Sequence, residues 1–310
     1  MEHYTILYNP LAGNGSGYRK ARHLKRILKG CRLTFQDITK IIDYQDYFSN
    51  LSAEEKIVVC GGDGTLNRFV NYSAGVQLSN QILYYPGGSG NDFMRDLDLP
   101  QDGHPVMIRE QLRHIPKVTI KGKDYYFLNG VGMGLDGYCC QEGERARGRS
   151  HRPINYTKIA LEGLFHGYTP KNATVIVDGR EYHFRKVWLS PTMNGRYFGG
   201  GMMPTPAQDR LNPEHTVSVM LAHNAGKLTV AAVFPKIFKG LHVQYKKYIT
   251  ILTGHDITVR YDEPAPVQID GEVIPGVLEY HVLSDSTPNT DIEAVLPCDE
   301  TSAGGFTEGT

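Results

Sequence analysis

The chain has no excess of either charge: Lys and Arg together number 33, and so do Asp and Glu. A global field that would draw nucleic acid or a strongly acidic partner is thereby excluded, and any electrostatic preference must be local. Cysteine is scarce. Its five positions, Cys31, Cys60, Cys139, Cys140 and Cys298, fall in neither a CxxC nor a Cys/His metal spacing, which fits a reduced, cytoplasmic setting. No apolar run approaches the roughly 20 residues that span a bilayer. Residues 1–8 carry neither the basic segment nor the long apolar stretch of a secretory signal. The expectation is a chain in solution, at most peripheral to a membrane, and long enough for two domains. Two common phosphate motifs are also missing: no loop has the GxxxxGK[ST] lysine, and the match to GxGxxG is poor.

What the chain has instead is glycine gathered where short apolar runs end. The β-branched run 56–60 reads as a buried strand, and it leads through Gly61-Gly62-Asp63-Gly64-Thr65 into Leu66, Phe69 and Val70 at helical spacing. Without Cβ atoms, Gly61, Gly62 and Gly64 let backbone N–H groups reach a phosphate, and the following helix points its positive end there. Asp63 would repel a bare phosphate but suits a Mg²⁺ ion bridging phosphate oxygens. The bland alternative is a tight turn that uses glycine for geometry, with Asp63 as a helix cap. The same plan appears twice more. A strand over 4–8 runs into the loop Asn9–Gly17, and a strand over 81–85 runs into Pro86-Gly87-Gly88-Ser89-Gly90-Asn91-Asp92-Phe93. Three such loops fall at one carboxyl edge of a parallel sheet. Carrying Asn9, Asp63, Asn67, Ser89 and Asp92, they converge on a nucleotide site. The helix expected over 18–28 turns Ala21, Leu24, Ile27 and Leu28 inward and Arg19, Lys20, Arg22, Lys25, Arg26 and Lys29 outward. That basic face is either simply solvated or a contact for an anionic membrane surface. The next strand, 33–38, ends at Thr39.

Near Lys117 the pattern shifts to short strands and hairpin turns. Residues 117–120 and 125–128 form one hairpin, and 173–177 with 182–189 flank Asp178-Gly179 in another. Further strands are expected over 217–221, 257–261, 266–269 and 278–283, and helices over 155–165 and 228–241. The Arg-rich stretch 142–152 reads as an exposed loop or helix start, and the Gly/Ser/Thr/Glu-rich tail 298–310 as disordered.

Six motifs, in order along the chain, resemble the bacterial diacylglycerol-kinase-like lipid kinases, the family that includes sphingosine and ceramide kinases. They are Asn9-Pro10 with Ala12-Gly13, the Gly61–Asn67 loop, Pro86–Phe93, Asn129-Gly-Val-Gly-Met-Gly-Leu-Asp136, Asn194-Gly195 with 199–206, and Gln268-Ile-Asp-Gly-Glu272. The resemblance implies an α/β nucleotide-binding domain over 1–120, to which about 285–297 return. A β-sandwich lipid-binding domain over 121–284 would follow, with the active site in the cleft between. It implies ATP contacts from Asn9, Pro10, Gly13, Thr39, Gly61, Gly62, Asp63, Gly64, Thr65, Asn67 and Ser89. Asp270 would be the catalytic base beside Glu272, although Asp270-Gly271 is by itself a hairpin-turn signal. It also implies a structural Mg²⁺ bound by Asp209 and the backbone of Leu211 and Pro206. Here Arg210 stands where the family has glycine, and a positive φ would strain it.

The function implied is ATP- and Mg²⁺-dependent phosphorylation of a lipid alcohol such as diacylglycerol, with peripheral contact at the inner membrane surface and no role for nucleic acid. A homodimer is left open. The alternatives are an NAD kinase-like enzyme, which shares GGDGT but not the stretch that follows it in that family, and a non-catalytic lipid-binding regulator with the same fold. The later sugar-phosphate motifs of phosphofructokinase, another Gly-Gly-Asp-Gly family, are not visible.

Overall fold

The computed structural model describes residues 1–76, 78–88, 90–99, 103–149 and 156–286. The first part of the chain runs β1 (His3–Tyr8), α1 (Ala12–Gly15), α2 (Gly17–Ile27), β2 (Arg32–Asp37), α3 (Tyr44–Ser49), β3 (Lys56–Gly61), α4 (Asp63–Tyr72), β4 (Ile82–Pro86), α5 (Asp92–Asp96) and β5 (Val106–Met107). Its sheet has the order β2-β1-β3-β4-β5, with the first four strands parallel and β5 antiparallel to β4. Successive residues of each strand face opposite sides, so Ile6 and Val58 pack with Ala21 and Leu24 of α2. Leu7, Ile57 and Val59 pack with Leu66, Phe69 and Val70 of α4 on the other side. Covering both faces is what lets a parallel sheet carry nearly continuous apolar strands. It leaves ligand access at the carboxyl edge.

The second part contains β6 (Lys117–Ile120), β7 (Lys123–Tyr126), β8 (Gly130–Gly134), α6 (Leu135–Arg149), α7 (Tyr156–Glu162), β9 (Lys171–Val177), β10 (Arg180–Val187), β11 (Leu189–Met193), β12 (Val217–Ala222), α8 (Lys227–Val233), β13 (Ile249–Gly254), β14 (Asp256–Ile269) and β15 (Glu272–Leu283). These strands form one ten-stranded sheet that folds over itself at β14. Residues 257–261 of β14 pair with β9 and 267–269 with β8. The register against β15 breaks between Arg260 and Ala265, where Pro264 has no N–H to give to a ladder. Both halves then enclose one core that includes Val131, Val175, Val219, Val259, Val267 and Val282. The result is a β-sandwich-like domain following an α/β domain.

Several sequence expectations change. The segments 257–261 and 266–269 are one strand, interrupted rather than separate. The Arg-rich stretch from 142 is no loop: through Arg149 it is the second half of the 15-residue α6, and 150–152 lie outside the described residues. The helix expected over 228–241 is α only to Val233, then continues as 3₁₀ turns at Phe234–Lys239 and Leu241–Gln244. Pro235 and Gly240, at φ 65°, account for that break. Similarly, α7 gives way to a π turn at Gly163–Gly167. Residues 117–120, placed with the first domain, belong by hydrogen bonding to the second sheet. Of the returning segment, Asp285 meets His114 and Ser286 accepts the Ile115 N–H at 3.2 Å; residues 287–297 and the tail lie outside the described residues. Among the described residues no helix is long and apolar enough to cross a membrane.

Candidate active site

The loops after β1, β3 and β4 meet backbone to backbone. A Cβ on Gly62 would come within 2.9 Å of Gly88 Cα, and one on Gly13 within 2.9 Å of the Gly87 oxygen. Gly61 is held by the Tyr84 hydroxyl, which donates to its carbonyl at 2.9 Å, and by Thr65, whose side chain fills the space a Cβ would need. Gly64 differs. A Cβ there would meet nothing within 4 Å, so its bareness leaves open space beside the start of α4 rather than relieving a clash.

Several expected residues are already engaged with their own loops. Asn9 Oδ1 accepts the Leu11 N–H at 3.0 Å, and Thr39 donates through both its amide and its hydroxyl to Asp37 Oδ1. Pro10 lies in the same first loop, and Ser89 lies outside the described residues. Asp63 caps a helix, though not its own: its oxygens accept the Asp92 and Phe93 amides, at 3.0 and 3.1 Å, closing the N-terminus of α5. Asp92 is buried. Its Oδ2 accepts the Gly200 amide at 2.6 Å, and Arg95 lies 3.3 Å from Oδ1. Burial pushes the Asp92 carboxyl up to about 6; the Asp63 charge adds to the rise, while the Gly200 amide and Arg95 pull against it. Asp63 Oδ2 and Asp92 Oδ2 lie 3.5 and 3.6 Å from one point, the position a Gly90 Cβ would take. Two carboxylates converging there are the hard oxygen donors that Mg²⁺ prefers.

Across the seam between the sheets lies Asp270. It does form the expected hairpin turn, with φ 45° at Asp270 and 94° at Gly271. Its carboxylate, however, faces the first domain and accepts four N–H groups. Oδ2 takes Asn67 Nδ2 at 2.8 Å and the Leu128 amide at 2.5 Å; Oδ1 takes the Asn129 and Gly130 amides at 2.9 and 3.0 Å. Burial raises its proton affinity against those amides, and the nearby Asp63 charge raises it further. Asn67 also donates to the Tyr126 carbonyl at 3.0 Å, which places it at the seam rather than in the loop cluster. Glu272 sits exposed just past the turn.

A model of the diacylglycerol kinase catalytic domain matches residues 3–120, and one of the YegS C-terminal NAD kinase beta sandwich-like domain matches residues 129–285. The chain belongs to the diacylglycerol-kinase-like family of lipid kinases. It is 25% identical over 260 residues to the diacylglycerol kinase of Mycobacterium tuberculosis (strain ATCC 25618 / H37Rv), covering 79% of this chain and 81% of that one. A crystal structure of a diacylglycerol kinase from Bacillus anthracis str. Sterne has the same fold, with a TM-score of 0.57 at 20% identity over 92% of this chain and 94% of that one.

Lys20 and Arg210 also reach the site, although the sequence offered Lys20 only as part of a basic helix face and Arg210 only as a lost glycine. Lys20 leaves the basic face of α2 and donates through Nζ to the Gly87 carbonyl at 2.5 Å, which places an ammonium between the first and third loops. Arg210 is free of the anticipated strain, since its φ is not among the positive ones. Its side chain is buried in the seam, where it donates to Asp96 Oδ2 at 2.5 Å, Asn129 Oδ1 at 2.9 Å and the Leu128 carbonyl at 3.2 Å, over the Phe93 ring. Arg196 holds the other Asp96 oxygen at 3.1 Å. The Asp209 loop offers less to a cation: its one carboxylate is exposed, and Oδ1 accepts the Leu211 amide at 2.9 Å. Leu211 itself is exposed, and Pro206 packs near Gly240.

Proposed function

We propose that this lipid kinase transfers the γ-phosphoryl group of ATP to the hydroxyl of a lipid alcohol such as diacylglycerol, with Mg²⁺. The supporting observation is the convergence of three touching glycine loops, the Asp63–Asp92 carboxylate pair and Asp270 on one seam. In this reading the backbone of the 61–65 and 86–88 loops and the ammonium of Lys20 take the phosphates. Asp63 and Asp92 would hold the Mg²⁺, whose charge would supply electrostatic stabilisation to the phosphates. The acceptor oxygen attacks the γ-phosphorus, the bond to the bridging oxygen breaks to release ADP, and the hydroxyl proton goes to Asp270. To take it, one of the four N–H contacts on Asp270 must open. The Asn67 side chain can rotate away, whereas the three backbone amides are fixed. The basic face of α2, with Arg19, Arg22, Lys25 and Arg26 exposed and Lys29 just past its end, is suited to an anionic bilayer surface. The Asp209, Leu211 and Pro206 loop would hold a second Mg²⁺ through one carboxylate oxygen and backbone carbonyls.

Incubation with ATP, Mg²⁺ and micellar diacylglycerol, followed by mass spectrometry of the lipid, tests this reading: the expected product gains one phosphate. Phosphorylation of NAD with no lipid product would replace it by the NAD kinase reading, and turnover of neither would favour a regulator.

A further inference from the structure

His114, His215 and Asp285 come from three separate stretches of chain, yet one ligand atom from each lies within 4.8 Å of the other two. His114 Nδ1 is 2.9 Å from Asp285 Oδ1. The His114 and His215 rings stack with centroids 4.0 Å apart and planes 19° from parallel. His215 holds its backbone at φ 52°, a region that costs a residue with a Cβ on the order of 1–3 kcal/mol unless its surroundings compensate. We propose that these three side chains bind a first-row transition-metal dication of the zinc type, at a site separate from the kinase chemistry.

The donor set decides the class. Two imidazole nitrogens and one carboxylate oxygen suit Zn²⁺, Co²⁺ or Ni²⁺ and not Mg²⁺, which takes oxygen ligands. Zinc with bonds of about 2.0–2.1 Å sets its ligand atoms about 3.3 Å apart in a tetrahedron. To bind the ion, His114 must turn off its stack on His215 and release Asp285, which its exposure allows, and the fourth position goes to water. The location gives the site a consequence. His114 lies on the link into β6, next to Ile115, whose amide bonds the Ser286 carbonyl beside Asp285. His215 ends the loop that carries Arg210, and Arg210 reaches Asp96 and Asn129 in the seam. A bound ion therefore ties the Arg210 loop to the linkers between the two sheets.

The test uses the full chain and Zn²⁺ itself. Because the sequence holds 12 histidines, it counts one site by difference. Isothermal titration with Zn²⁺, in excess Mg²⁺, is expected to show one tight equivalent that His215→Ala removes and Asp285→Asn weakens at least tenfold. Metal-free melting temperatures, measured alongside, show which variants fold. Co²⁺ should give four-coordinate visible absorption in the parent and not in His215→Ala. If His215→Ala fails to fold, the exposed Asp285→Asn and His114→Gln variants carry the comparison. Equal Zn²⁺ stoichiometry and affinity in the parent and in variants that fold overturns the proposal.

Discussion

Replacing Arg210 by Met should loosen the seam between the two domains by an amount the structure lets one estimate. The Arg210 side chain is 3% exposed and that of Asp96 1%, so the pair is shielded from solvent. Removing one partner of a buried, hydrogen-bonded ion pair costs ~3–5 kcal/mol because it strands the other charge. Asp96 keeps the Arg196 amide at 2.8 Å and the Arg196 Nε at 3.1 Å, so the lower end applies, about 3 kcal/mol. At roughly 2–4 °C per kcal/mol for a chain of this scale, the melting temperature should fall by about 6–12 °C. Arg210 also fixes Asn129 and Leu128, whose amides hold Asp270, so kcat should drop by about ten- to a hundredfold with ATP affinity little changed. Urea and thermal unfolding of Arg210→Met, Asp96→Asn and the double variant measure the first effect, and a coupling of at least ~1.5 kcal/mol is expected for groups in direct contact. A variant that melts within about 2 °C of the parent, or additive single effects, refutes the reasoning.

Five other outcomes follow. Gly62→Val drives a side chain against Gly88 and should weaken ATP binding at least tenfold. Gly64→Ala enters open space, so it should lower ATP affinity several-fold with an unchanged melting temperature; retained affinity in both variants removes phosphate from this edge. Asp270→Asn should keep ATP binding and lose ~10²–10⁴-fold in kcat, and turnover within a few-fold of the parent would leave Asp270 as a turn anchor. Asp136 carries a fully buried carboxyl that burial pushes from 3.8 up to about 6, with the Gly137 amide and the Gln268 side chain pulling only weakly against the rise. A raised acid binds more protons folded than unfolded, so stability falls as pH rises from about 4 to about 6, by about 3 kcal/mol for a shift of roughly two units. Urea unfolding at pH 4.5 and pH 7 should show a shallower loss in Asp136→Asn than in the parent; identical slopes contradict the assignment. Sedimentation with anionic vesicles should weaken as salt rises, and equal binding to neutral vesicles would leave the α2 face as merely solvated.

The alternation of strand, glycine loop and helix was legible because each loop announces itself locally, and the parallel order then brings three of them to one edge. The Asp178-Gly179 hairpin was legible for the same reason. Helix α6 was not. Gly137 and Gly143 interrupt its pattern at points where it packs closely against Pro266 and the Tyr156 ring, so the residues that make the helix fit also hide its period. Lys20 was read by helical position as facing water, and only the approach of the third loop, 67 residues on, gives it a partner. Arg210 read as a lost glycine, because its acidic partner lies 114 positions away. Asp270 shows that a turn signal leaves the side chain unread: the dipeptide sets the backbone, and the carboxylate is claimed by groups no local pattern names.

The bond from Asn67 to Asp270 joins residues 203 positions apart. During synthesis the first domain emerges with its glycine loops complete while the strand that ends in Asp270 has yet to be made. At roughly 5–20 residues per second, the interval is on the order of ten seconds or more. Through that time a nascent chain can fold its first sheet, yet it has nothing to occupy the far side of the seam. Closure of the seam is a late event, reached when β14 and β15 have paired and their turn has swung against α4. In a half-made chain of this kind the glycine loops stand formed before the carboxylate that faces them exists.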